Sequence, residues 1–408
     1  MHKKFISYKE SLEILNSLNI NSTKTQNLFI SDCLDRVLAQ DIIAHENSPA
    51  FKTSAMDGYA VKFEDLASGK IKIIGNNPAG TVVDEVVVTG TCIKTFTGSL
   101  MPKGSDTLIQ IENVTVEDGH IIINTPVPSG FSVRAVGENY AKDEVLITKG
   151  TIINFATIGV MASLNISNAV VYTKPTVAIA STGSEILDLG QEQTNDAQIR
   201  SSNHITLQAI ASKYGAKVNQ LGVVKDDRES ILNLLSNALE TSDIVVTTGG
   251  VSVGDYDFVK DIIKDELGCE VLFQGVTIKP GQHLIFAQKQ TSTGVKFIVG
   301  LPGFAYSSTV TFLLYILPLI FKFKGANETL DIKDAIIDCD FPKKTKKTVF
   351  TASNLVYKDG IYHINMDDKK QGTSAILTNM LGDIALLIQE ENDKDLKKGD
   401  EVKIFIPN

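Results

Sequence analysis

The sequence predicts a multidomain α/β plus β protein. It reads as a doubly wound, mostly parallel sheet domain, an all-β insertion domain, a discontinuous helical linker domain and a C-terminal β-barrel. Three observations lead there. The chain has 408 residues, too many for one hydrophobic core. Between residues 174 and 326 short β-branched runs alternate with amphipathic segments, the pattern of right-handed crossovers onto a parallel sheet. On either side of that stretch, short apolar runs are separated by glycine and proline, which is the pattern of antiparallel β structure.

Taken in order, Ser7 and Glu10 form a Ser-x-x-Glu capping box. Leu12, Leu15 and Leu18 continue the face of the helix that it opens. A second short helix is expected over residues 31–39. Short β runs follow at 71–74, 86–89, 91–96, 107–111 and 120–124, with Gly75, Pro78, Gly90, Pro102, Gly104 and Gly119 between them. They define a β insertion domain over 49–139. A helical pattern returns over 156–164, so 1–48 with 140–173 is expected to form one elongated, discontinuous linker domain.

Lys174-Pro175 opens the α/β domain, 174–326. A strand over 176–180 runs into Ser181-Thr182-Gly183-Ser184-Glu185, and Ser202 caps a helix to about 213. A strand over 218–224 ends at Asp226-Asp227, with a helix over 228–239. A strand over 243–248 ends in a glycine loop, with a helix over 257–267. A strand over 297–299 ends in Gly300-Leu301-Pro302-Gly303. Residues 297–321 hold no charge and are long enough to cross a bilayer. The Gly-Leu-Pro-Gly turn and Pro318 interrupt them, so the stretch reads as a buried strand, a turn and a buried helix from about Tyr306. Residues 327–408 form the C-terminal barrel, with a hairpin at Tyr357-Lys358-Asp359-Gly360-Ile361.

Composition narrows the function. A net charge of −9 argues against nucleic acid as the main partner. The one basic run, Lys343-Lys344-Thr345-Lys346-Lys347, reads as a solvated strand edge blunted by lysines. Cys33, Cys92, Cys269 and Cys339 form no Cys-x-x-Cys pair, as expected of a reduced cytoplasmic protein with buried thiols. The six histidines show no zinc-like grouping. The basic N-terminus lacks an apolar core, so neither a signal peptide nor a membrane association is expected.

The stretch from Val245 to Asp257 carries the most chemistry. A buried strand meets Gly249, Gly250 and Gly254, the hydroxyls of Thr248 and Ser252, and the carboxylates of Asp255 and Asp257. Free N–H groups and a helix N-terminus suit an anion. An ordinary tight turn is the alternative. Ligands of an open parallel sheet bind beyond the carboxyl ends of its strands. Thr182, Gly183 and Glu185, then Asp226, then Gly249 to Asp257, then Pro302 and Gly303 all fall at such ends. Glu185 and Asp257 are candidates to share Mg²⁺ with ligand phosphates. Lys279, in Ile278-Lys279-Pro280-Gly281, offers a cation on a constrained turn. The plainer readings are that Asp226 or Asp227 caps the next helix, Glu185 is a solvated loop acid, Asp257 is only a cap and Lys279 a surface lysine. Upstream, Thr53-Ser54-Ala55-Met56-Asp57-Gly58-Tyr59-Ala60-Val61 reads as a turn with an Asx-type bond, and Thr97-Gly98-Ser99 closes another strand.

Ser-Ala-Met-Asp-Gly-Tyr-Ala, Thr97-Gly98, Ser181-Thr182-Gly183, the loop from Thr248 to Gly254, Lys279-Pro280-Gly281 and Gly300-Leu301-Pro302-Gly303 occur in that order. Together they resemble the molybdopterin molybdenumtransferases, the MoeA family related to the gephyrin E domain. The resemblance runs from about residue 8 to the C-terminus. It implies a MogA-like molybdopterin-binding α/β domain in an elongated four-domain subunit. It also implies a homodimer, with the site between the α/β domain of one subunit and the β insertion of the other.

The implied reaction inserts molybdate into adenylylated molybdopterin and releases AMP, with Mg²⁺. The adenylyltransferase that makes the pterin nucleotide is a partner the resemblance allows. It assigns Asp57, Asp226 and Lys279 to catalysis, and Glu185 and Asp257 to the metal. Thr97, Thr182, Gly183, Gly249, Gly250, Ser252, Gly254, Pro302 and Gly303 fall to substrate binding. The chain departs from the family pattern at Gln282, where a second Lys is usual, at Phe304-Ala305, where Asn-Pro is usual, and at Asn139, usually Asp. A divergent paralogue that holds molybdopterin as a scaffold or chaperone without insertion, or one that uses tungstate, is the alternative.

Overall fold

The computed structural model describes residues 5–20, 24–251, 258–326 and 328–407. Ser252, Gly254 and Asp257 lie outside the described residues. The chain divides into two compact units: residues 1–39, 150–154 and 169–408 in one, residues 40–149 and 155–168 in the other.

The smaller unit is built on a six-stranded sheet. Its order is Thr107–Gln110, Gly58–Val61, Thr91–Thr95, Lys70–Asn77, His120–Ile123, Val114–Glu117. Tyr59, Val61, Ile71, Cys92, Ile109 and Ile121 form its core. The expected strand over 86–89 is absent. Val87 alone is buried there, while Val86 and Val88 are exposed. The backbone instead bonds to loops: Val87 N donates to Lys103 O, and Val88 N to Thr91 Oγ1. This unit also holds the helix Phe155–Ser163, which the sequence reading set over 156–164.

In the larger unit the central sheet has six strands: β1 (Thr176–Thr182), β2 (Lys217–Val224), β3 (Ile244–Thr248), β4 (Glu270–Gln274), β5 (Ile285–Thr291) and β6 (Gly294–Leu301). Their order is β2-β1-β3-β6-β5-β4. The ladders β2–β1, β1–β3 and β3–β6 are parallel, and β6–β5 and β5–β4 antiparallel. Alternate residues serve opposite faces. Val177, Ile179, Val246, Phe297 and Val299 pack with the helices Asn203–Lys213 and Ala305–Phe323. Ala178, Val245 and Ile298 pack with Ile231 and Leu235 of Arg228–Thr241, and with Val259, Ile262 and Ile263.

The helix Ala305–Phe323 is long and apolar enough to cross a membrane, but 83% of it is buried within the protein. It is the core helix read from the sequence. Its Phe312–Ile316 segment is π-helical. Pro318 has no N–H for the Leu314 carbonyl, and a widened turn just before it accommodates that loss.

Local expectations near the helix ends fared unevenly. The Ser7–Glu10 capping box forms in full: Glu10 N donates to Ser7 Oγ at 3.1 Å and Ser7 N to Glu10 Oε2 at 2.7 Å. The helix expected over 31–39 is only a 3₁₀ turn, Ile30–Cys33. Asp35 adopts φ +61°, which ends it, and the N–H groups of Asp35, Leu38 and Ala39 go to Ile153, Thr151 and Val170 carbonyls. Ser202 does precede a helix, but its backbone is already helical and its side chain makes no cap bond. Asp227, in extended conformation, caps Arg228–Thr241 by accepting from Ser230 N at 2.9 Å.

The C-terminal strands close a barrel. Thr348–Lys358 pairs with both Ile361–Asn365 and Ile384–Gln389, and Ile332–Ile337 and Glu401–Phe405 complete the ring. Asp359 (φ +53°) and Gly360 (φ +82°) form the expected two-residue hairpin turn. A two-residue strand, Ile278–Lys279, adds in parallel to Thr348–Val349.

Candidate active site

Turns at the ends of β1, β2, β3 and β6 line one cavity of about 960 Å³. Thr182 and Glu185 come from the end of β1, Asp226 from β2, Gly249 and Gly250 from β3, and Pro302 and Gly303 from β6. Lys279 adds a cation from the turn that follows β4.

Tight backbone approach shapes the floor. Gly249 N donates to Leu301 O at 3.0 Å, joining the ends of β3 and β6. Gly249 has φ +94°, and a Cβ there would stand 2.7 Å from Thr182 O. Gly250 has φ +65°, with Val259 Cγ2 at 2.7 Å from that position. Neither conformation nor space admits a side chain. Gly183 does not line the cavity. Its N–H donates to Val224 O at 3.2 Å, joining the ends of β1 and β2.

Asp226, not Asp227, faces the cavity. The cap is made by its neighbour, so the adjacent carboxylates divide the two readings between them. Asp226 N donates to Ser184 Oγ at 3.3 Å, fixing the loop. Glu185 is an exposed carboxylate on the cavity wall. Among the described residues, Glu185 and Asp226 are the carboxylates that line the cavity, and no group of three metal-ligating side chains is found.

The basic run is not a plain solvated edge. Lys344 and Lys346 are exposed, but Lys343 and Lys347 turn inward. Lys343 Nζ donates to the carbonyls of Lys347 at 2.9 Å and Gln389 at 2.8 Å, and burial lowers its pKa. Lys347 Nζ donates to Gln282 Oε1, and both residues line the cavity. A lysine from the barrel thus stands beside the position where the family usually carries its second one. Arg200 is a further cation on the wall.

Sequence reasoning also missed a polar chain that runs from the cavity wall to a buried histidine. His204, 1% exposed, places Nε2 3.0 Å from Asp188 Oδ1 and Nδ1 2.9 Å from Ser201 Oγ. Ser181 Oγ lies 3.0 Å from Thr248 Oγ1, and Asn203 Nδ2 donates to Gly303 O at 2.7 Å. The only signal was the polar run Ser201-Ser202-Asn203-His204 opening a helix.

Asp57 and Thr97 belong to the smaller unit and pair with each other. The expected Asx-type bond is not formed. Thr97 donates to Asp57 Oδ1 from its N–H at 2.8 Å and from its hydroxyl at 2.7 Å. The Thr97 N–H, then its hydroxyl, hold the Asp57 carboxyl below the usual carboxylate range, with help from the Lys94 charge.

The sequence matches the MoeA N-terminal region (domain I and II) over residues 6–165 and the probable molybdopterin binding domain over residues 178–322. A molybdopterin molybdenumtransferase of Haemophilus influenzae is 31% identical over 334 residues, 79% of this chain and 81% of that protein. One from Staphylococcus aureus is 33% identical over 325 residues, 78% of this chain and 76% of the relative. The crystal structure of a molybdopterin biosynthesis moeA protein from Pyrococcus horikoshii superposes with a TM-score of 0.83 at 30% identity, covering 99% of this chain and all of that one. The whole-chain superposition and the relatives a third identical over three quarters of the sequence agree with the convergent strand ends: this chain belongs to the MoeA family of molybdopterin molybdenumtransferases.

Proposed function

We propose that this chain inserts molybdate into adenylylated molybdopterin with release of AMP, as a Mg²⁺-dependent cytoplasmic homodimer. The observation that carries the reading is the convergence of Thr182, Glu185, Asp226, Gly249, Gly250, Lys279, Pro302 and Gly303 on one cavity of about 960 Å³. Its size suits a pterin nucleotide.

The chemistry must bring two polyanions together, so cations and N–H donors have to offset their repulsion. Gly249 and Gly250, with Ser252 and Gly254 further along the loop, cradle the pterin phosphate by their backbones. Thr182, Pro302 and Gly303 shape the floor, with Gly183 joining the ends of β1 and β2. Lys279 meets the oxyanion, and Lys347, held by Gln282, is the second cation. Asp226 and Asp57 carry the catalytic carboxylates, and Thr97 keeps Asp57 ionised. Glu185 and Asp257 would hold Mg²⁺. Carboxylate oxygens are the hard donors that ion prefers, and it often takes only one or two of them with substrate phosphates. Bound there, it neutralises charge on the phosphoanhydride.

A single-turnover assay tests the proposal. Purified protein with adenylylated molybdopterin, molybdate and Mg²⁺ is expected to release AMP and yield active cofactor. Tight pterin-nucleotide binding with no AMP release would assign a scaffold role instead. The same assay with tungstate measures metal preference, and co-purification with the adenylyltransferase tests that partnership.

A further inference from the structure

Asp188, His204 and Ser201 form a hydrogen-bonded chain that ends on the cavity wall. His204 lies in the first turn of the helix Asn203–Lys213 and is 1% exposed. Its Nε2 is 3.0 Å from Asp188 Oδ1, and its Nδ1 is 2.9 Å from Ser201 Oγ. Ser181 Oγ stands 3.4 Å from the same Nδ1. Ser201 and Ser181 line the large cavity, whereas His204 and Asp188 reach it only through them.

Both ends of the chain are fixed. Asp188 Oδ1 also accepts from Leu189 N at 2.7 Å, and a Cβ on Gly222 would stand 2.8 Å from Asp188 Oδ2. Ser201 N donates to Leu187 O at 3.0 Å, so the serine and the carboxylate hang from one stretch of backbone. An ionised carboxylate can only accept, which puts a proton on Nε2. The neutral ring then offers a lone pair at Nδ1, and the hydroxyl beside it must donate. The two acceptors within reach of the Ser201 proton are Nδ1 and Ser181 Oγ, the latter at 3.3 Å and 2% exposed. Both are buried in the protein. The proton is therefore held inside, and the Ser201 oxygen keeps its lone pairs for the cavity.

We propose that Asp188 and His204 are positioning residues that make Ser201 a hydrogen-bond acceptor, and that Ser201 takes an N–H or O–H donor of the bound pterin nucleotide. The ligand rests on the proposed transferase reading; the polarity of Ser201 does not. Lys279, Lys347, Arg200 and the glycine N–H groups of this wall serve the anionic parts of such a ligand. Its amino, ring N–H and ribose hydroxyl groups need an acceptor instead. Glu185 and Asp226 are committed to metal and catalysis under that reading, and Ser201 is the neutral acceptor whose direction the protein has set.

Nitrogen-15 NMR of the ligand-free full chain at neutral pH reads the first link. His204 should show one protonated ring nitrogen, Nε2, and one bare one, and Asp188→Ala should let both tautomers populate. Binding reads the second link. Ser201→Ala and Asp188→Ala are each expected to weaken binding of adenylylated molybdopterin about tenfold. The double variant should lose no more than either alone, because Asp188 acts through Ser201. AMP and molybdopterin titrated separately locate the donor: a loss confined to AMP places it on the nucleotide, and one confined to molybdopterin places it on the pterin. Unchanged affinity in Ser201→Ala, losses that multiply in the double variant, a doubly protonated His204 in the wild type, or a lower Tm for Asp188→Ala with unchanged affinity would each overturn the proposal. No nucleotide bound by the wild type would overturn both it and the transferase reading. Binding that depends on Ser201 without AMP release would reject the transferase reading and leave this assignment standing.

Discussion

Asp57 shows how one side chain can be singled out as a candidate before its partner is known. The sequence marks it as a carboxylate among small residues in a turn, and a local Asx bond is the nearest partner on offer. Its actual donors come from Thr97, 40 residues away. Because the folded carboxyl titrates below its unfolded value, the stabilisation is present above the unfolded pKa and lost as pH falls through the folded one. Thr97→Val removes the hydroxyl but keeps the N–H donor. Carboxyl ¹³C NMR titration should therefore show the Asp57 midpoint moving up toward that of a free Asp, while remaining below it. Lys347 carries a second prediction at this scale. Replacing it with Ala removes a charge-assisted contact worth about 1.5–3 kcal/mol. The apparent KM for molybdate is expected to rise roughly tenfold or more, with kcat for AMP release changed less. No sequence signal could place Lys347 opposite Gln282, since they meet through the long-range pairing of Ile278–Lys279 with Thr348–Val349.

Elements were legible where period and punctuation agreed. The parallel strands β1, β2 and β3 were read close to their ends, because runs such as 244–248 are buried on both faces and stop at glycine. The false strand over 86–89 and the false helix over 31–39 failed for a shared reason. In each, long-range backbone partners outbid the local propensity. The glycine loop is the element whose geometry can be tested most directly. Gly249→Ala forces a positive φ, costing about 1–2 kcal/mol, and drives Cβ against Thr182 O. A lowered Tm together with lost pterin-nucleotide binding is expected from differential scanning fluorimetry and calorimetry. In the buried helix, Tyr315 OH lies 2.9 Å from Ser11 Oγ and ties the N-terminal helix to the core. Tyr315→Phe should destabilise by about 1 kcal/mol, read as a lower urea midpoint with an unchanged slope.

At the scale of the molecule, the sequence revealed a doubly wound sheet flanked by β domains but not how the last strands join. Barrel closure needs Thr348–Lys358 to pair with Ile384–Gln389 across a long intervening segment, and periodicity carries no register over that distance. The antiparallel strands β4 and β5 were hidden likewise. Thiol chemistry gives a whole-molecule test. All four cysteines are free; Cys33, Cys92 and Cys269 are buried, and Cys339 is not fully so. Burial pushes the Cys92 thiol up to about 12 and raises Cys33 and Cys269 as well. A thiol titration at pH 8 should show one fast equivalent per chain, mapping to Cys339, and the other three only after unfolding.

The two-residue ladder between Ile278–Lys279 and Thr348–Val349 makes the barrel more than an appendage. Thr348 N also donates to Thr277 O at 3.1 Å, so the turn bearing Lys279 is stitched along its length to the start of the barrel's longest strand. Lys347 is the next residue back on that strand's lead-in. Both ammonium groups therefore ride on a single mechanical joint. A protein truncated after the buried helix would retain every strand of the central sheet, yet its cavity would lose Lys347 at one stroke and the turn bearing Lys279 would be set adrift.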